Sequence, residues 1–146
     1  SLDTIRVWLA AHPQAARATM ETDQSYVFFR ETKVGDPDLG AAGSEGAPLT
    51  PDASLAIDPR LHALGAPYYV ATQVPGVAGD WNQLLIAQDT GGAIRGAVRG
   101  DIFFGFGATA EMRAGNMKAA GKFFVLLPGR VAARLGSTRD FPGTAR

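Results

Sequence analysis

Asp89-Thr90-Gly91-Gly92-Ala93-Ile94-Arg95-Gly96 runs on through Gly100-Asp101-Ile102-Phe103-Phe104-Gly105-Phe106-Gly107. It follows an apolar stretch, Leu84-Leu85-Ile86-Ala87-Gln88, and sets two carboxylates among glycines and aromatic residues. A side chain at the end of a strand, in a glycine-rich loop, can face a cleft while its backbone stays fixed. Acid/base chemistry is expected there. Short strands broken by such loops, with one or two small helices between them, predict a small closed β barrel rather than a parallel α/β sheet.

Working outward, strand candidates lie at 54–57, 67–74, 83–88 and 122–127, and an earlier one at 25–30 is rich in aromatic and β-branched residues. Residues 108–118 place Ala110, Ala114 and Met117 at helical spacing, with Gly121 beyond to help end the helix. At the start of the chain Leu2, Ile5 and Leu9 fall on one helical face, and Pro13 after His12 begins a second helix. Residues 1–22 therefore read as a helical lead-in to a barrel domain over 23–128. Residues 33–52, rich in Gly, Pro, Asp and Ala, form a long surface loop, of a length that is usually functional. Residues 129–146 are an Arg-, Ala- and Gly-rich extension with a helical turn expected over 131–135.

The 146 residues suit one domain with a real core. Fourteen Lys and Arg balance 14 Asp and Glu, with no basic run, which argues against a nucleic-acid partner and for a neutral polymer or small molecule. Without cysteine there is no disulfide, thiolate nucleophile or lipid-bearing cysteine in these residues. No apolar run approaches the roughly 20 residues that span a bilayer, and Ser1-Leu2-Asp3-Thr4 has no signal-peptide character. His12 and His62 lack paired ligand spacing, so neither a metal site nor a Ser-His-Asp site is expected. The glycine cluster matches neither a phosphate-binding loop nor a dinucleotide fingerprint, and no cofactor is expected.

Three aspartates are the site candidates: Asp58, Asp89 and Asp101. Each stands where a strand meets a turn, which suggests convergence at one end of the barrel. An Asp before Pro or Gly commonly caps a turn through its carboxylate, and for Asp58, which precedes Pro59, that role is the leading expectation. Asp89 and Asp101 are the stronger chemical candidates. Ile102, Phe103, Phe104 and Phe106 offer apolar walls that would favour a protonated Asp101. Phe103, Phe104, Phe106, Trp81, Tyr68 and Tyr69 are either core residues or flat faces for sugar rings. Asp89-Thr90-Gly91 also matches the catalytic triplet of aspartic proteases, but Gly92 stands where Ala or Ser usually follows, and a dimer would have to supply the second aspartate.

Taken together, Tyr26-Val27-Phe28-Phe29-Arg30-Glu31, Ser54-Leu55-Ala56-Ile57-Asp58, Asp89 through Gly96, Gly100-Asp101, Ala114-Gly115-Asn116-Met117 and Phe124-Val125-Leu126-Leu127-Pro128 resemble the membrane-bound lytic murein transglycosylase A family. The three aspartates look like those that give its 3D domain its name. The resemblance implies a mainly β fold, a six-stranded double-psi β barrel with short peripheral helices. It implies a lyase that cleaves the β-1,4 bond between N-acetylmuramic acid and N-acetylglucosamine in peptidoglycan, leaving a 1,6-anhydromuramoyl end. Asp101 would act as acid and then base, with Asp89 tuning or orienting the site. Asp58, Gly91, Gly92, Arg95 and Phe103 would support the substrate. It further implies a periplasmic, outer-membrane-anchored full-length protein, whose preceding region completes the barrel and adds a second β domain across the glycan cleft. A glycan-binding barrel without turnover is the alternative.

Overall fold

In the computed structural model, which describes residues 2–25, 28–33 and 35–137, the short apolar runs become strands β1 (Ser54–Ile57), β2 (Pro67–Thr72), β3 (Trp81–Thr90), β4 (Gly100–Ile102) and β5 (Lys122–Val125). The helices among the described residues are α1 (Leu2–Ala11), α2 (Pro13–Met20), α3 (Ala108–Asn116) and α4 (Gly129–Ser137). The strands form one mixed sheet in the order β4-β1-β3-β2-β5. β1 runs parallel to β3, and the other neighbours are antiparallel. The sheet curls into a half-barrel, so that its two edges meet: a Cβ on Gly100 of β4 would come within 3.1 Å of the Phe123 ring on β5.

Period-two alternation sorts the side chains. Leu55 and Ile57, Tyr68 and Val70, and Leu85 and Ala87 point into the half-barrel, where Trp81 and Phe104 close the core with their rings 6.3 Å apart. Full burial of a side chain the size of Leu55, Ile57, Val70 or Leu85 contributes about 1.5–3 kcal/mol. The helices are peripheral, and Ala110 is the one buried helical residue among those described. The lead-in hairpin docks on α3 through an ion pair of 2.6 Å between Arg6 and Glu111.

Most expected elements form close to their expected bounds. β4 was not anticipated, because Gly100-Asp101-Ile102 has a loop's composition; antiparallel pairing with β1 makes it a strand. Over 25–30 the expected strand does not extend to residues 28–30, while Tyr26 and Val27 lie outside the described residues. Phe28 and Phe29 are 86% and 95% exposed. β propensity reflects packing on neighbouring strands, and without such neighbours it carries little weight.

Candidate functional site

The register of three adjacent strands builds the site. Ala56 of β1 is the partner of Asp89 on β3 and of Asp101 on β4, so one small side chain stands between two carboxylates. Two strand spacings separate the aspartate backbones by about 10 Å. Strict alternation would turn Asp89 inward with Leu85 and Ala87. A bulge at Gln88 prevents this: Leu55 pairs with Ala87 but Ala56 with Asp89, so the extra residue re-aims the carboxylate to the outer face.

The long loop over 35–52 supplies one wall. Ser44 donates to Asp89 Oδ1 from its backbone N–H at 3.0 Å and from its hydroxyl at 2.8 Å, and its Oγ also lies 2.8 Å from Thr90 Oγ1. Glu45 N–H donates to the Gln88 carbonyl, and a Cβ on Gly43 would collide with that same oxygen, so only glycine lets the loop approach this closely. Leu49, Ser54, Leu55, Ala56, Ile102 and Phe103 join Asp89 and Asp101 in lining a pocket of about 170 Å³.

Asp101 is half exposed, and its carboxylate accepts from Arg99 Nε at 2.8 Å. This corrects the expectation of an apolar enclosure. Phe104 turns into the core and Phe106 out to solvent, with Gly105 between them at a φ of 90° breaking the extended backbone, and only Ile102 and Phe103 remain beside Asp101 in the pocket. The hydrogen bond to Asp101 raises the Arg99 guanidinium above its ordinary value.

Asp58 lies at the same end of the sheet but outside the pocket. Fully buried, it accepts from the Arg60 side chain at 3.0 and 2.7 Å, from Arg60 N–H at 3.1 Å and from Gly96 N–H at 2.9 Å. His62 Nε2 lies 2.9 Å from the Ala97 carbonyl, so the turn after β1 clamps the β3–β4 loop at two successive residues. The Arg60 side chain, and then Gly96 N–H, hold the Asp58 carboxyl well below the usual carboxylate range, against the opposing effect of burial. A carboxyl depressed in this way stabilises the fold fully above its unfolded value, about 3.9, and loses that contribution as pH falls towards the folded value. The thermal midpoint should therefore fall on acidification from about pH 5 to pH 2, and Asp58→Asn should be less stable at neutral pH and less acid-sensitive. Equal acid sensitivity in both proteins would assign the effect to another group.

Of the residues expected at the site, Asp89, Asp101 and Phe103 come together. Gly91, Gly92 and Arg95 lie on the β3–β4 loop outside the pocket lining, where Ile94 N–H closes a turn on the Gly91 carbonyl and the Arg95 guanidinium reaches back to the Ile94 carbonyl at 3.4 Å. Ser44, Ala56 and Arg99 escaped the reading of the sequence. Arg99 was within reach, because residues i and i+2 share a face on extended backbone. Ser44, 45 positions from Asp89, left no local signal.

A family model described as the 3D domain matches residues 53–127, half of the chain, and takes in all three aspartates. The chain belongs to the 3D-domain family. This 3D domain is similar to the membrane-bound lytic murein transglycosylase A of Vibrio cholerae, with 33% identity over 86% of this chain and 34% of that protein. It is also similar to a solved membrane-bound lytic murein transglycosylase from Agrobacterium tumefaciens, with 36% identity and a TM-score of 0.77 over 92% of this chain and 37% of that one. A third relative is MltA of E. coli, solved with bound chitohexaose, with 28% identity and a TM-score of 0.69 over 86% of this chain and 38% of that one. The chain thus spans about a third of the length of these relatives.

Proposed function

We propose that this 3D domain is the catalytic part of a peptidoglycan lytic transglycosylase. The observation that carries the reading is the row Asp101–Ala56–Asp89, two carboxylates facing one outward pocket across a small residue. Asp101, protonated, donates to the glycosidic oxygen as the bond from C1 of the muramoyl residue to that oxygen breaks with oxocarbenium character. As carboxylate it then takes the proton from the muramoyl 6-hydroxyl, whose oxygen closes on C1. The nucleophile belongs to the substrate, so no water is consumed. Asp89, anchored by Ser44, stabilises the positive charge developing at C1. Arg99 must release Asp101 for the first proton transfer; exposed ion pairs are worth only about 0–1 kcal/mol, so an arriving saccharide can displace it.

The reading extends to the whole protein. A strand from the remainder of a longer chain would close the half-barrel into a six-stranded double-psi barrel, and a second domain would wall the glycan cleft, in a periplasmic protein held at the outer membrane. Gly91, Gly92 and Arg95 would contact substrate from the β3–β4 loop, and Asp58, in the turn after β1, would hold that loop. A glycan-binding barrel without turnover is the second reading, favoured by the half-exposed position of Asp101. Mass analysis of digested peptidoglycan tests the proposal. Muropeptides ending in 1,6-anhydromuramoyl groups are expected; reducing ends in their place would make the protein a hydrolase, and no released product would favour the binding barrel.

A further inference from the structure

Alternation that buries Tyr68 and Leu85 turns their neighbours Tyr69 and Leu84 outward, and Phe124 of β5 faces out beside them. The register sets the three in one row: Tyr69 is the partner of Leu84 on β3 and of Phe124 on β5. Tyr69, Leu84 and Phe124 are 41%, 53% and 52% exposed, with the two rings 6.3 Å apart. This row shares the sheet face that carries Asp101 and to which the bulge turns Asp89. Between the two rows lies the register pair Pro67 and Ile86, both half-buried. One step further along the same face come Asn82, Ala71 and Lys122, again partners across the three strands, where a groove of about 460 Å³ opens.

Resting on the glycan-cleaving reading above, we propose that this strip is a distal subsite for the glycan strand, with Tyr69 and Phe124 stacking on sugar rings and Asn82 and Lys122 hydrogen-bonding to hydroxyl and acyl groups beyond them. Flat apolar faces bordered by a few polar side chains match a saccharide, which presents C–H faces and a hydroxyl rim. The strip begins about 15 Å along β3 from Asp89 and crosses about 10 Å of sheet, so only a long oligosaccharide can occupy it and the carboxylate pocket together.

Binding of chitohexaose and of chitobiose to the full chain, in an Asp101→Asn background that prevents cleavage, tests this. Tyr69→Ala and Phe124→Ala should each weaken chitohexaose binding about tenfold and leave chitobiose unchanged. Tyr69→Phe, which keeps the ring, should restore the affinity, and Val7→Ala on α1 should have no effect. Chitohexaose affinity within about twofold of the parent in both alanine variants would overturn the subsite while leaving the cleavage reading intact. Equal losses for both saccharides would also overturn it, since the effect would then come from the fold. If neither saccharide binds the parent chain, the subsite fails, and product analysis decides separately whether cleavage fails with it.

Discussion

Asp101→Asn should abolish muropeptide release, with a loss of at least about 10³-fold, while the thermal midpoint should change little. In the proposed mechanism both half-steps use the same group, and asparagine can neither give a proton to the glycosidic oxygen nor take one from the 6-hydroxyl. The fold should survive, because the Asp101 side chain is half exposed and bonds only to Arg99 among the described residues. Its backbone pairing with Ala56 does not depend on the side chain. Asp89→Asn should be milder, about 10- to 100-fold, because an amide oxygen still accepts both Ser44 hydrogen bonds while the negative charge is lost. Initial rates on purified peptidoglycan, with thermal melts on the same samples, separate the two residues. An Asp101→Asn protein within about tenfold of the parent rate would move the acid/base role elsewhere.

Ala56→Leu should lower kcat/KM by about 100-fold, equivalent to about 2.7 kcal/mol of lost transition-state stabilisation, with the protein still folded. Ala56 sits between the two aspartates and lines the pocket of about 170 Å³, so three added carbons occupy the space where the reacting sugar must lie. The pocket opens outward and the core packs on the other face, through Leu55 and Ile57, so the larger side chain meets the site and not the core. Ala56→Ser, adding one hydroxyl, should stay near the parent value. Full activity in Ala56→Leu would mean that the glycan does not pass between Asp89 and Asp101.

Local pattern made much of this legible. Pro13 after His12 marked the break between α1 and α2, and the spacing of Ala110, Ala114 and Met117 marked α3. Asp58 before Pro59 was expected in a turn and is found there, holding Arg60 and Gly96. What local pattern missed was β4, a glycine-bearing tripeptide that is a strand only because β1 lies beside it. The aromatic residues divided for the same reason. Their types suit a core and a sugar platform equally, and their place on inner or outer strand faces separates buried Tyr68 and Trp81 from exposed Tyr69 and Phe124.

By itself the amino-acid sequence determined the family, most of the elements and the identity of the two candidate carboxylates, because these rest on residue type and on spacings of a few positions. Tertiary structure alone decided that Asp89 and Asp101 flank one alanine, that a bulge at Gln88 turns Asp89 out of the core, and that Ser44 holds it from 45 positions away. Strand register and loop docking are set by packing between segments distant along the chain, and a one-residue slip would send the same carboxylate to the opposite face of the sheet.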